Sequence, residues 1–270
     1  MITTKLSEKA TAAGKSAATS TFRHGPEGVN VGQTSIYRTA LNREAPLVDA
    51  RYYDAAPPNS TGERLLIWAR DRIFRDFMRL VAPSPTDRIL DVGVSDVVTD
   101  GANLIERLYP HRRNITAVGL GEGGDIRQAY PGVEYRRITA GSALPFADGA
   151  FDVAVSNAVI EHVGSRTAQK AFMAELTRVA KTVFVTAPNR WFPVEHHTGL
   201  PFFHYQASTF AAACRLTGKT LWLDPSELIL TSLDDLRAVA PKGRRITSGF
   251  TGLPLGPFSS NLYVLIEPVD

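Results

Sequence analysis

Two apolar runs in this sequence each end in residues that could contact a ligand. Asp91 and Gly93 close the first run, in RILDVGVSD, and Asn157 closes the second, in FDVAVSN. Both runs are typical of buried strands, and the carboxyl ends of strands in an open parallel sheet meet at one crevice. A glycine there lets the backbone approach a ligand closely. The sequence therefore predicts a ligand-binding crevice lined by Asp91, Gly93 and Asn157.

Titratable side chains follow the second run. Glu161 and His162 come directly after it, in SNAVIEH. The ordinary pKa of an imidazole lies close to neutral pH, so His162 can take a proton from an acceptor hydroxyl or amine. The alternative is that Glu161 and His162 only hold their loop by hydrogen bonds. We predict His162 as the candidate catalytic residue.

A second polar group lies in the segment PNRWFPVEHH, residues 188–197. It mixes aromatic surface with a cation, a carboxylate and two imidazoles, a combination suited to holding a polar ring such as a sugar. The alternative is structural packing. Metal binding by the adjacent acid and histidines is disfavoured because neighbouring residues rarely point at one ion, so no metal is predicted. The candidate substrate residues are Arg190, Trp191, Glu195, His196 and His197.

The elements that position these residues alternate along the chain. A first helix is predicted over 62–80, capped by Ser60 or Thr61 and ended by the prolines after it. Buried strands then alternate with helices, the pattern of a parallel sheet covered on both faces. The predicted strands are 88–92, 115–120, 133–136, 152–156, 182–186, 245–249 and 261–266. The predicted helices after the first are 102–108, 125–130, 166–179, 210–217 and 233–239.

Composition narrows the function classes. The 270 residues are 44% hydrophobic and 21% charged, ordinary values for a globular protein. The net charge of +3 comes without a long basic block, which disfavours nucleic acid as a partner. One cysteine excludes an intrachain disulfide. No apolar run is long enough for a membrane span or a signal-peptide core, so we expect a cytoplasmic protein.

The order of three motifs resembles a known family. DVG after an apolar strand, then LPFADGAFD, then SNAVIEH are similar to the class I S-adenosylmethionine-dependent methyltransferases, in the branch that methylates small molecules and sugars. The resemblance covers residues 83–186. It implies an α/β fold with a Rossmann-like seven-stranded, mostly parallel sheet and helices on both faces. It also implies an antiparallel hairpin at the end of the chain and S-adenosylmethionine as cofactor.

The resemblance also implies roles for individual residues. The methionine end of the cofactor would lie at the turn after the first strand, the ribose at the acid Glu122, and the adenine beside the LPF segment. Asn157 would border both cofactor and acceptor. The implied cofactor-binding residues are Asp91, Gly93, Ser95, Glu122, Ser142, Ala143, Leu144 and Asn157.

Four positions depart from the family pattern. Ser95 and Val97 stand near the places of two glycines, Gly119 stands where an acid is expected, and Ala140 replaces an Asp. These departures motivate an alternative, a non-catalytic methyltransferase-like subunit. A dinucleotide-dependent oxidoreductase is disfavoured because DVGVSD lacks the G-x-G-x-x-G pattern.

The sequence also divides the chain. Residues 1–60 are predicted to form a flexible tail followed by an irregular arm, and residues 61–270 the methyltransferase domain. The arm offers a surface for a homodimer. The expected partners are otherwise a small-molecule or sugar acceptor.

Overall fold

A long helix opens the part of the chain that the computed structural model describes, which is residues 56–57, 59–96, 98–99 and 101–269. Helix α1 spans Thr61–Leu80. The Ser60 hydroxyl caps it by accepting a hydrogen bond from the Glu63 backbone N–H at 3.0 Å. Its buried face includes Ile73 and Phe77. The predicted first helix and its cap are therefore present.

Strands and helices then alternate as predicted, with small shifts at their ends. The elements after α1 are β1 (Ile89–Val92), α2 (Leu104–Leu108), β2 (Ile115–Gly119), α3 (Gly124–Ala129), β3 (Glu134–Arg137), β4 (Phe151–Asn157), α4 (Arg166–Val179), β5 (Ala180–Pro188), α5 (Ala207–Leu216), α6 (Leu233–Ala238), β6 (Arg245–Thr251) and β7 (Asn261–Glu267).

The seven strands form one sheet in the order β3-β2-β1-β4-β5-β7-β6. Strand β7 runs antiparallel to both of its neighbours, and the other neighbouring strands pair in parallel. Asp91 of β1 lies opposite Ala117 of β2 and Val155 of β4. The strand order reverses at β1 and β4, which is where ligands bind in open α/β sheets. The predicted fold class is confirmed.

Both faces of the sheet are buried under helices. Because side chains alternate along a strand, β1 contributes Leu90 to one core and Ile89 to the other. The first core includes Met173 from α4 and Leu236 from α6. The second includes Phe77 from α1. The helices and the sheet therefore hold the carboxyl ends of the strands in fixed positions.

Two predictions concern residues at or outside the part of the chain that the structure describes. The tail, most of the arm and the homodimer surface predicted on them lie outside the described residues, and the boundary at residue 60 stays a prediction. No described helix combines the length and hydropathy needed to cross a bilayer.

Candidate active site

The turn after β1 depends on a bare backbone at Gly93. The Gly93 and Val94 backbone N–H groups both donate to the Val118 carbonyl oxygen, at 2.9 and 3.1 Å. Gly93 has a φ of +96°, and a Cβ added to it would overlap the Val159 side chain. Only glycine suits both conditions. The turn after β1 therefore packs directly on the loop after β4.

An asparagine holds the next part of this loop. Asn103 Oδ1 accepts from the Ser95 N–H, and its Nδ2 donates to the Ser95 carbonyl oxygen, both at 2.9 Å. Asn103 has a φ of +49°, a left-handed conformation that asparagine tolerates. This two-point contact fixes the loop around Ser95. Asn103 is not recognisable from the sequence because no pattern marks it.

The space at the end of β2 is filled, which explains the missing acid there. A Cβ at Gly119 would lie 2.7 Å from the Val94 carbonyl oxygen and 3.0 Å from the Tyr135 hydroxyl. Tyr135 donates to the Gly121 carbonyl oxygen at 2.7 Å. Burial, with the nearby Asp96 carboxylate adding to it, raises the pKa of Tyr135 to about 12, so the phenol stays neutral.

Asp96 supplies a carboxylate near the end of β2, where position 119 has no room for an acidic side chain. Its side chain lies directly against the Cα of Gly121, where a Cβ would overlap it, and it lines a cleft that runs along the carboxyl ends of the strands. Glu122, the predicted ribose-binding acid, lies outside the cleft. It forms an ion pair with Arg137, and its side chain is 82% exposed. The short turn of Gly121 and Glu122 directs that side chain toward β3.

The LPF segment, residues 144–146, is held by hydrogen bonds to side chains of α4. The Leu144 backbone N–H donates to Glu175 Oε1 at 2.6 Å. Arg178 donates to the carbonyl oxygens of Leu144 and Phe146, at 3.1 and 2.8 Å. These bonds fix the backbone just after Ser142 and Ala143, which line the cleft together with Leu144.

The end of β4 is tied to both neighbouring strands. Ser156 donates its hydroxyl proton to the Val92 carbonyl oxygen at 2.9 Å. Asn157 Oδ1 accepts from the Thr186 hydroxyl at 2.7 Å. Ala158 follows with a φ of +56°, a strained conformation for a residue that is not glycine. Such strain is often found at functional sites.

A pair of buried carboxyl groups lies beneath the cleft. Burial, and then the nearby Glu106 carboxylate, raise the pKa of Asp91 well above its usual range. Burial raises the pKa of Glu106 to about 7. Both carboxyl oxygens of Glu106 are buried, and a hydrogen bond with the Asp91 carboxyl group partly offsets the effect of burial on the pKa of Glu106. The pair therefore retains a proton at pH values where free carboxyl groups are ionised.

We expect Glu106→Gln to stabilise the protein at pH 8 by roughly 2–3 kcal/mol. The pKa of Glu106 is raised on folding from 4.5 to about 7, so the folded state holds the proton more tightly. Its contribution to the free energy of unfolding is therefore complete below pH 4.5 and is lost as pH rises toward 7. Urea unfolding of both proteins at pH 5 and pH 8 measures the effect. The exposed-site control Glu134→Gln keeps Glu106, so its stability should change between pH 5 and pH 8 as that of the wild type does. Identical pH profiles for wild type and Glu106→Gln would contradict the prediction.

An arginine from α1 lines the same cleft. Arg70 lies within electrostatic reach of Asp91, Glu161 and His196, and it lowers the pKa of each of these groups. Its guanidinium makes no hydrogen bond to any group that the structure describes. The sequence alone does not single out this cation because α1 contains several similar arginines. The cleft therefore contains a positive charge available to an anionic ligand group.

His162, the predicted catalytic residue, and His197, a predicted substrate contact, lie together. They are on the far side of the cleft, which is formed by the loops after β4 and β5. His162 Nε2 and His197 Nε2 are 3.2 Å apart, and the rings are perpendicular. His162 Nδ1 lies 2.6 Å from the Glu227 carbonyl oxygen, and His197 Nδ1 lies 2.8 Å from Glu195 Oε1. The Trp222 ring packs on His197 at 4.7 Å.

Glu195 is a buried carboxylate with several hydrogen-bond donors. Burial would raise its pKa, but hydrogen bonds from His197 and Thr198 outweigh burial and lower the pKa to about 2. The Thr198 N–H and hydroxyl donate to Glu195 Oε2 at 2.7 and 2.6 Å. Burial lowers the pKa of the neighbouring His196 to about 4, so that ring is neutral at pH 7.

Glu161 lies beside the two imidazoles. Its side chain is 1% exposed, and neither carboxyl oxygen has a hydrogen-bond partner among the described residues. Burial raises its pKa to about 7, although His197 opposes this. A buried carboxyl group without a partner is costly, so its retention needs a reason.

One cleft of about 1110 Å³ runs along the carboxyl ends of the strands and joins these groups. The structure brings most of the predicted site residues into its lining. They are Asp91, Gly93, Ser95, Ser142, Ala143, Leu144, Asn157, His162, Glu195, His196 and His197.

Arg190 and Trp191, predicted as substrate contacts, do not line this cleft. The Arg190 guanidinium lies over the Trp191 ring at 4.9 Å, and that ring is 42% exposed. The reason is the turn at Asn189, whose side chain donates to the carbonyl oxygens of Pro257 and Ser259. After this turn Trp191 lies outside the cleft, whereas Arg190 lines a small cavity of about 10 Å³ together with Glu161, Glu195 and His196.

The sheet order, with its single antiparallel strand, and a cleft at the strand ends define a Rossmann-like methyltransferase fold. A family model described as a methyltransferase domain matches residues 103–183. No curated protein matches the sequence.

Solved structures share this fold at low sequence identity. Magnesium protoporphyrin IX methyltransferase from Synechocystis PCC 6803, solved with bound SAH, is 13% identical with a TM-score of 0.51, and the match covers 81% of this chain and 91% of that one. A protein from Pyrococcus horikoshii OT3 is 14% identical with a TM-score of 0.50, covering 81% of this chain and 95% of the other. At such identities the likeness shows the fold, and the family match indicates a methyltransferase domain over residues 103–183.

Proposed function

We propose that this protein transfers a methyl group from S-adenosylmethionine to a small molecule or saccharide. The observation that carries the proposal is the cleft, where bare backbone at Gly93 faces the loop after Asn157. Its volume of about 1110 Å³ is large enough for a nucleoside and a second ligand together. The methyltransferase-domain match and the fold support S-adenosylmethionine as the cofactor.

The cofactor would lie along the side of the cleft that is formed by α1, the turn after β1 and the LPF segment. Arg70 would bind the carboxylate of its methionine end, and the backbone at Gly93 would allow that end to approach β1. Asp96, rather than Glu122, would accept hydrogen bonds from the ribose hydroxyls. The backbone near Ser142 and the Leu144 side chain would hold the adenine.

Bound S-adenosylmethionine supplies a methyl group already activated on a sulfonium, so the protein mainly aligns the acceptor and excludes water. The acceptor would occupy the far side of the cleft, near His162, Glu195 and His197. Glu195 orients the His197 ring through its Nδ1, and the Glu227 carbonyl orients His162 in the same way. His162 Nε2 is then the atom that would take a proton from the acceptor.

Calorimetric titration with S-adenosylhomocysteine tests the cofactor assignment. We expect binding by one site per chain and a rise in Tm at saturating ligand. The acceptor class is tested by transfer of a labelled methyl group to a panel of sugars and small hydroxyl compounds. No heat and no thermal shift at millimolar S-adenosylhomocysteine would contradict the proposal and favour the non-catalytic subunit.

A further inference from the structure

The two facing imidazoles have their other nitrogens fixed as donors. The Glu227 carbonyl oxygen can only accept, so the His162 Nδ1 that lies 2.6 Å from it carries a hydrogen. Glu195 Oε1 accepts from the His197 backbone N–H and, on its other oxygen, the carboxylate accepts twice from Thr198. A carboxylate so held is ionised, and the His197 Nδ1 at 2.8 Å therefore also carries a hydrogen.

A neutral imidazole with its hydrogen on Nδ1 has a lone pair on Nε2. With hydrogens on Nδ1, His162 and His197 both turn Nε2 toward the same space, and the two Nε2 atoms are 3.2 Å apart. Two bare lone pairs at this distance would repel each other, so the contact needs either a proton shared between the nitrogens or a metal ion bound to both. Metal-binding histidines characteristically donate their other N–H to a carboxylate or a backbone carbonyl, and this pair has one of each.

Glu161 adds a negative group to the same space. Its Oε1 is 3.9 Å from His162 Nε2, and the candidate donor atoms of Glu161, His162 and His197 all lie within 4.8 Å of one another. The carboxyl group is 1% exposed and has no hydrogen-bond partner among the described residues. A bound cation would supply the partner that this buried oxygen pair lacks.

We propose that Glu161, His162 and His197 bind one divalent transition-metal ion. Two imidazoles and a carboxylate are the donor set that such ions prefer, and Mg²⁺ or Ca²⁺ would select oxygen ligands instead. An ion about 2.1 Å from both Nε2 atoms would subtend an angle of about 100° between them, close to tetrahedral or octahedral geometry. Glu161, whose Oε1 lies 3.9 Å from His162 Nε2, would supply the third ligand.

This site deepens the proposed function and rests on it for its role in catalysis. Three protein ligands leave coordination positions open, as in catalytic rather than structural metal sites. All three ligands line the cleft on its acceptor side. The open positions would therefore take oxygen atoms of the acceptor, which indicates an acceptor with hydroxyl or carboxylate groups. In the metal-bound protein His162 Nε2 would be a ligand, and this assignment would replace the role as a base proposed above for that atom.

Metal titration of the full chain after chelator treatment tests the site. We expect about one Co²⁺ per chain, seen by calorimetry and by the visible absorption of the protein-bound ion. Glu161→Gln, which nearly preserves side-chain shape, and His162→Asn should each weaken binding by about tenfold or more. The matched control is His111→Asn, an exposed histidine outside the cleft, which should bind Co²⁺ as the wild type does.

Two results would overturn the metal site. One is the absence of Co²⁺ and Zn²⁺ binding below millimolar concentration, which would mean that a shared proton lies between the imidazoles. The other is unchanged binding in Glu161→Gln, which decides the question even if His162→Asn fails to fold. Titration of the metal-free protein with S-adenosylhomocysteine reports separately on the proposed function, because none of the three ligands belongs to the cofactor side of the cleft.

Discussion

Gly93→Ala is expected to weaken S-adenosylhomocysteine binding by about 10- to 100-fold. Alanine at a φ of +96° is strained by roughly 1–3 kcal/mol, and its Cβ would also overlap Val159. The turn after β1 or the loop after β4 must move, and both line the cleft. Calorimetric titration of the variant measures the loss of affinity.

Gly218→Ala is the matched control for this prediction. Gly218 has a φ of +73°, but nothing lies within 4 Å of the position of its Cβ, and it does not line the cleft. The control carries a similar backbone strain without the contact, so it should lose stability and keep its affinity. Equal affinities for wild type and Gly93→Ala would show that the cofactor does not lie against this turn.

Arg70→Met should reduce affinity for S-adenosylhomocysteine by about 10- to 100-fold. A hydrogen bond to a charged group contributes roughly 1.5–3 kcal/mol, which corresponds to that change. Methionine keeps most of the aliphatic side chain, so the packing of α1 on the sheet is preserved. Calorimetry with wild type and variant gives the difference directly.

A second ligand makes this prediction specific. Methylthioadenosine lacks the carboxylate and the amino group, so Arg70→Met should bind it nearly as well as the wild type does. Arg64→Met, on the exposed part of α1, is the control and should bind both ligands normally. A similar loss for both ligands in Arg70→Met would indicate a general disturbance of the cleft instead of a carboxylate contact.

The sheet and the position of the cleft were predictable because they depend on local patterns. Continuous apolar runs in β1 and β4 indicate strands buried on both faces, and the intervening helices impose parallel pairing. A parallel sheet places the ends of its strands at one edge, which is why Gly93, Asn157 and the LPF segment were expected together. The domain match over residues 103–183 supports the same interpretation.

The individual contacts within the cleft were less predictable because they join residues distant in the chain. Glu122 looked suitable for the ribose, yet Arg137 holds it outside the cleft while Asp96 lies inside. No local pattern distinguishes Arg70 from the other arginines of α1. Their roles depend on which direction each side chain takes after the helix packs on the sheet.

The two histidines show most clearly which features follow from the sequence and which depend on the folded structure. The sequence places His162 after β4 and His197 after β5, and since these strands are neighbours both histidines belong at the same edge of the sheet. That their Nε2 atoms meet at 3.2 Å beside a buried Glu161 depends on two further partners, Glu195 and the Glu227 carbonyl. Patterns of hydrophobicity specify which elements form and how they pair, whereas side-chain orientation is set by packing and hydrogen bonds between distant segments. For this reason the fold and its binding edge follow from the amino-acid order, and the candidate metal site becomes visible once the chain has folded.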